Sequence, residues 1–319
     1  MTQSKVTSYV LDGQGGIGHK NQDQINDRSL IVWHHLKYTD KSAKSWVKKQ
    51  MDLSDLARIT LLNNETRPRA HVDEDEVLVC LRGINFNESE QPEDMISIRL
   101  WMNGNTVVTS SNQGSQSIRN IRAQLEQNIG PKSAEQVLLA LIDQLANLTD
   151  DFVEKMDEKI DEAEDQIEDA KHMIFNPMMN QMRRQIAHIR RYLLPQKEAI
   201  DKLYRQKSHH FSDSFYDQIY GQVDKFMQMI ENLDLMRERA LMLQEHFMTN
   251  ISHQQNSRLY LLAIISVIFL PLTFLSGLFG MNVAGMPGLE DSRAFWYIIA
   301  FSVGLTIMLL IGFKKSRWF

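Results

Sequence analysis

Leu259 to Phe279 reads LYLLAIISVIFLPLTFLSGLF, 21 residues without a single charge. A helix of about 20 apolar residues crosses a bilayer core. A soluble core helix of that length free of charge is rare. Ala294 to Phe313, AFWYIIAFSVGLTIMLLIGF, repeats the pattern over 20 residues. Two C-terminal transmembrane helices are therefore expected, 259–279 and 294–313. A short loop, 280–293, joins them, and a basic tail, 314–319, closes the chain.

The flanks set the expected orientation. Arg258 precedes the first span, and Lys314, Lys315 and Arg317 follow the second, while the loop carries Glu290, Asp291 and one basic residue, Arg293. Positive charge is retained on the cytoplasmic side, so a multi-pass protein with cytoplasmic N- and C-termini is predicted, its loop facing out. Trp296 and Tyr297 fall at the outer end of the second span and Trp318 at its inner end, interfacial positions for amphipathic rings.

The first span has two faces. Asn256, Leu259, Ala263, Ser266, Leu270, Thr273 and Gly277 recur every three to four residues, so they share one stripe of a helix. Ile264, Ile265, Ile268, Phe269, Leu272 and Leu275 fall on the other side. A stripe of small and polar residues faces either a packed neighbour or water. Two helices per chain cannot enclose an ion path, so a pore would require a ring of copies.

Upstream, residues 1–132 mix strand and helix signals. Leu30 to Trp33, Glu76 to Leu81, Met95 to Met102 and Thr106 to Thr109 read as strands, the third half-exposed by its alternation, with a turn at Asn103-Gly104-Asn105. Helices are predicted at Ser42 to Gln50, Ser54 to Leu62 and Ser115 to Asn128. Interleaved strands and helices indicate an α/β domain. Residues 133–195 read as a helical hairpin. Ser133 to Gln136 fits a capping box, and Leu141, Leu145, Leu148, Phe152, Met156, Ile160, Ala163 and Ile167 form an apolar stripe. Its other face is acidic, Pro177 is expected to break the helix, and Met178 to Leu194 is basic. With the turn near Asn176, Arg190 would meet Glu162 and Arg183 would meet Asp169. A stalk helix, 196–258, is expected to run into the first span, with Leu233, Met236, Ala240, Leu243 and Phe247 on its bundle face.

Net charge is −5, and no domain carries the basic excess that nucleic acid selects. Cys80, the one cysteine, lies in the apolar run Val77 to Leu81, so a buried thiol and no intrachain disulfide are expected. Met1 to Lys20 lacks the apolar core of a signal peptide. A Gly-rich phosphate loop, a GxSxG elbow and an HExxH pair are all missing, so neither an enzyme nor a resident cofactor is expected.

At the end of the first span stands Gly280-Met281-Asn282, ahead of a short loop and a last helix with a basic tail. Phe269 to Phe279 reads FLPLTFLSGLF just before it. In this arrangement the chain resembles the CorA superfamily of divalent-cation transporters. Three stretches make it similar to the ZntB zinc-transport branch: Thr66-Arg67-Pro68-Arg69, Arg190-Arg191-Tyr192 with Pro195-Gln196, and Gly285-Met286-Pro287-Gly288. Magnesium-type members commonly carry an acid after that proline. Here it is Gly288, with Glu290 and Asp291 two and three residues further on.

The resemblance implies a homopentamer in a bacterial inner membrane. It also implies a funnel-shaped cytosolic α/β/α domain, a periplasmic loop, five long helices around the pore and Gly280, Met281 and Asn282 at its outer mouth. The implied cargo is Zn²⁺, taken up with coupling to protons. Asn282 is uncharged, so five copies would hold a hydrated cation through its waters. Leu259 and Leu270 would form apolar rings that gate by dewetting. His246 and His253, seven residues apart, are weak candidates for a transient zinc contact. A Mg²⁺, Co²⁺ or Ni²⁺ channel is the alternative within the superfamily. A membrane-anchored scaffold or signalling protein is the alternative outside it.

Overall fold

The computed structural model of the chain describes residues 6–18, 30–64, 67–88, 90–165, 167, 172–281 and 293–315. Internal packing divides the chain into two units, Met1–Gln244 and Glu245–Phe319.

The first unit is built on one six-stranded sheet. Its strands are β1 (Val6–Leu11), β2 (Ile31–Lys37), β3 (Arg69–Val72), β4 (Val77–Gly83), β5 (Ile96–Asn103) and β6 (Thr106–Ser111), in the order β1-β2-β6-β5-β4-β3. β2 and β6 run parallel, and every other neighbouring pair is antiparallel. The turn between β5 and β6 uses the freedom of Gly104, whose φ is +51°.

Helices cover both faces. α1 (Lys41–Lys49) and α2 (Asp55–Leu62) bury Val47, Ala57 and Leu61 against Leu36, Leu78, Trp101 and Val108. Ser54 caps α2 by accepting from the Ala57 N–H at 3.0 Å. On the opposite face lie α4 (Ala134–Asp165), against β2, β4, β5 and β6, and α5 (His172–Arg205), against β3 and β4; α3 (Gln116–Glu126) packs on α4. Gly83 makes the close approach possible, since a Cβ there would stand 2.5 Å from Leu145 Cδ2. The result is an α/β/α sandwich.

This layering overrides the half-exposed reading of β5. Ile96 through Met102 are all buried. Among the polar members of the alternation, Arg99 is fully buried; it donates to the Asn63 carbonyl at the end of α2 (2.5 Å) and lies 4.3 Å from the Tyr38 ring centroid. β1, which the polar and glycine-rich start of the chain concealed, is an edge strand with only its last two residues buried. Cys80 is buried and free, and burial pushes its thiol pKa up.

The helical layer corrects four expectations. Pro177 and Pro195 both lie inside α5. Each removes one helical hydrogen bond. The helix persists because Phe175, Met179, Met182, Ile186, Ile189 and Leu193 keep a buried three-and-four spacing across Pro177 and as far as Pro195, and Gln196, Ala199, Ile200 and Leu203 continue it. The division at residues 195 and 196 is therefore absent; α5 ends at Arg205, and α6 (Asp213–Phe279) begins after the 206–212 connection. On α4 the buried stripe passes through Thr149 and Val153, leaving Leu148 and Phe152 only partly covered. Ser133 does accept from the Gln136 N–H at 3.3 Å, but the Gln136 side chain returns to the Lys132 N–H instead of Ser133.

The charge pairing also moves. α4 ends at Asp165, ahead of Asn176, and its acids meet α6: Lys225 pairs with Asp150 and Arg239 with Asp157, Asp161 and Glu164. Arg190 pairs with Asp234 and Arg183 donates to Gln244, both on α6. Asp169 lies outside the described residues. Leu233, Met236, Ala240, Leu243 and Phe247, the expected bundle face, are all buried.

Candidate functional site

Among the described residues, two helices are long and apolar enough to cross a membrane: α6, through its apolar part in the second unit, and α7 (Ala294–Lys315). The chain covers one face of the first by itself. Ile264 is buried, and Tyr260, Ile268, Pro271, Leu272 and Leu275 are partly covered. At 100° per residue these positions cluster on one side. Asn256, Leu259, Ala263, Ser266, Leu270, Thr273 and Gly277 are all exposed and lie on the opposite side, with Leu259 at 63% and Leu270 at 71%. Ile265 and Phe269, grouped with the covered side by sequence, are exposed at its margins.

The hydroxyls of this stripe have a defined polarity. Ser266 Oγ donates to the Leu262 carbonyl at 2.9 Å, and Thr273 Oγ1 to the Phe269 carbonyl at 2.7 Å. A hydroxyl has one hydrogen and two lone pairs. With the hydrogen turned back onto the helix, each oxygen presents only acceptor capacity outward. That suits water molecules oriented by a cation. Pro271 lacks the N–H that would otherwise serve the Val267 carbonyl.

The helix closes at its last turn. The Gly280 N–H donates to the Ser276 carbonyl at 2.9 Å and Met281 N–H to that of Leu278 at 3.4 Å. A Cβ on Gly280 would approach the Ser276 oxygen to 3.0 Å, a tight fit that favours glycine there. Met281 is exposed. Asn282, Gly285 to Gly288, Glu290 and Asp291 lie outside the described residues, as do Thr66, Arg317 and Trp318. Phe295, Trp296 and Tyr297 open α7 as exposed rings, as interfacial positions require.

His246 and His253 are exposed on α6. Seven residues of helix separate them by about 10 Å, too far for one ion to be held by both from one chain. Among the described residues no three His, Cys, Asp or Glu side chains stand together as a metal site. His34 and His35 face different partners, Ser8 Oγ at 2.7 Å and Thr109 Oγ1 at 2.9 Å. The rings of His209 and His210 lie against each other, tilted by 35°, with centroids 4.2 Å apart.

One feature escaped the sequence reading although its signal is plain. Asp217, Asp224, Glu231, Glu238 and Glu245 recur at a constant seven-residue interval on α6, and all five are exposed. The same interval carried onward reaches Ser252, Leu259, Ser266 and Thr273. A seven-residue repeat keeps one seam of a helix facing its neighbours in a bundle of parallel copies. The carboxylates thus share the heptad position of the polar stripe.

Comparison with known proteins bears on the whole chain. The family model described as CorA-like Mg²⁺ transporter protein matches residues 29–315. The divalent cation transporter CmaX of Pseudomonas aeruginosa is 31% identical over 319 residues, covering 98% of this chain and 96% of that protein. The zinc transport protein ZntB of Yersinia enterocolitica is 28% identical, covering 98% and 95%. The solved structure of full-length CmaX superposes with a TM-score of 0.85 at 29% identity, over 100% of this chain and 99% of that one.

Proposed function

The chain belongs to the CorA-like Mg²⁺ transporter family, and on that premise we propose that it carries divalent cations across the inner membrane, with Zn²⁺ its preferred cargo. The observation that carries the transport reading is the stripe from Asn256 to Gly277. Apart from Leu259 and Leu270 it is polar and small, it is turned away from the face the chain covers for itself, and its hydroxyls offer acceptors only. Five copies placed around a common axis turn that stripe into a pore wall, with both termini cytoplasmic and Gly280, Met281 and Asn282 at the outer mouth.

The cation passes with much of its water. Neither span contains a carboxylate, and a dry divalent ion is too costly to place there without ligands that replace its shell. Glu245, Glu238, Glu231, Asp224 and Asp217 then form successive acidic rings along the cytoplasmic stretch, lowering the energy of a cation that has cleared the membrane. Leu259 and Leu270 supply the apolar constrictions.

Zinc is favoured over magnesium by Gly288, which stands where magnesium-type relatives commonly carry an acid, and by the zinc-transport relative. The second reading, a Mg²⁺, Co²⁺ or Ni²⁺ channel, draws on Glu290 and Asp291 close by. Uptake and coupling to protons complete the proposal. The test is metal flux into proteoliposomes holding the purified protein, with Zn²⁺ and Mg²⁺ supplied separately, with and without a pH gradient. Zn²⁺ flux that exceeds Mg²⁺ flux and responds to the gradient is the expected result, and Asn282→Ala should abolish it. Faster Mg²⁺ flux, indifferent to pH, selects the second reading, and normal flux in Asn282→Ala rejects the outer-mouth assignment.

A further inference from the structure

Arg183, Arg184 and Arg237, with Pro177, Asn180 and Ala187, line an open groove of about 700 Å³ between α5 and α6. Its lining contains no carboxylate. Arg183 spends one N–H on Gln244 at 3.0 Å. Arg184 and Arg237 are exposed and form no ion pair among the described residues. Three adjacent guanidiniums repel one another, so the groove is complementary to a row of negative charge.

Such a row exists on the same protein. Asp151, Glu154, Glu158, Glu162 and Asp165 project from α4, all exposed, on the side opposite its buried residues Val153, Met156 and Ile160. These five carboxylates make no ion pair among the described residues; the acids that do, Asp150, Asp157, Asp161 and Glu164, lie inward toward α6. The row extends along about 21 Å of helix. Because α4 packs its opposite side into its own chain, this row cannot turn to reach its own chain's groove.

We propose that the arginine groove of one copy receives the outward acidic row of α4 of the next copy. The two surfaces are different, so the contact is head-to-tail, and repetition of a head-to-tail contact about an axis closes a ring. The contact thus fixes which faces of neighbouring copies meet. It rests on the ring assumed above and on nothing about the transported ion. Its energy is electrostatic and partly exposed, so it weakens with salt.

The test uses the full-length protein in detergent. Cys80 is the only cysteine and is buried, so the unaltered chain gives no background disulfide. Glu158→Cys and Arg184→Cys in one chain should yield a ladder of disulfide-linked species under mild oxidation, and either substitution alone should not. Arg184→Glu with Arg237→Glu should lower at least twofold the salt concentration at which half the oligomer dissociates. Adding Glu158→Arg and Glu162→Arg should restore it. An intact oligomer by mass with no ladder assigns the groove to some other anion and overturns the contact. Absence of restoration overturns it as well. An unaltered chain of monomeric mass overturns contact and ring together, whatever its flux.

Discussion

The guanidinium of Arg239 on α6 donates to the Asp157 carboxylate on α4 at 2.9 Å and also reaches Glu164 at 2.9 Å and Asp161. One cation thus ties together three acids spaced along α4, and these hold its pKa above the usual arginine value. Exposed pairs are each worth about 0.2–1 kcal/mol, but a network around one partly covered arginine reaches the upper end of that range. Arg239→Ala is expected to cost about 1–2 kcal/mol, since it also leaves three like charges unneutralised. Thermal unfolding in detergent at low and at 1 M salt checks this, since screening should shrink the difference. A loss unchanged by salt would point to packing instead.

Much of the fold was legible because period and burial coincide. The paired strands β5 and β6, the helix α2, and the buried face of α6 all follow from local spacing. What failed were rules that tertiary packing overrides. Pro177 reads as a breaker, yet a continuous buried stripe carries α5 through it. Arg99 reads as a solvent-facing residue of an alternating strand, yet it is fully buried and donates to the Asn63 carbonyl. Charge complementarity alone could not choose between α5 and α6 as partner of α4, since both supply arginines. The stripe from Asn256 to Gly277 was readable from spacing, whereas its orientation required knowing which side of the helix Ile264 buries.

A pH dependence follows from β2. Burial pushes the pKa of His34 and of His35 down to about 4, from about 6.5 in an unfolded chain. The folded form keeps both neutral where the unfolded form is protonated. Their contribution is therefore complete above pH 6.5 and is lost as pH falls toward 4, roughly 3 kcal/mol for each histidine at full burial. Urea midpoints measured between pH 7 and 4.5 should fall for the wild type, and fall less for His35→Val. Equal slopes for the two proteins would show that other groups dominate acid unfolding.

Leu270 tests the stripe without touching the outer mouth. It is 71% exposed on the face the chain leaves uncovered. A leucine ring around a narrow pore excludes water in the resting state, and a polar residue of similar size lets water in. Leu270→Asn is expected to raise resting cation leak in proteoliposomes several-fold, while Phe269→Asn, on the margin, should not. Comparable leak from both would mean that the two variants merely loosen the bundle.

The acidic seam of α6 makes a prediction that separates attraction from binding. Glu231 and Glu238 are exposed, carry no ion pair among the described residues, and stand one heptad apart, about 10 Å along the helix. If their rings only concentrate cations, their effect is long-range and screened, because the Debye length is about 8 Å at physiological salt. Glu231→Gln with Glu238→Gln should then raise the cation concentration needed for half-maximal flux by a few-fold at 20 mM salt and hardly at all at 300 mM, with maximal flux unchanged. Carboxylates that ligate the ion directly would behave otherwise. Their loss would persist at high salt and would alter the ratio of Zn²⁺ to Mg²⁺ flux, because inner-sphere ligands discriminate between those ions and a diffuse field does not.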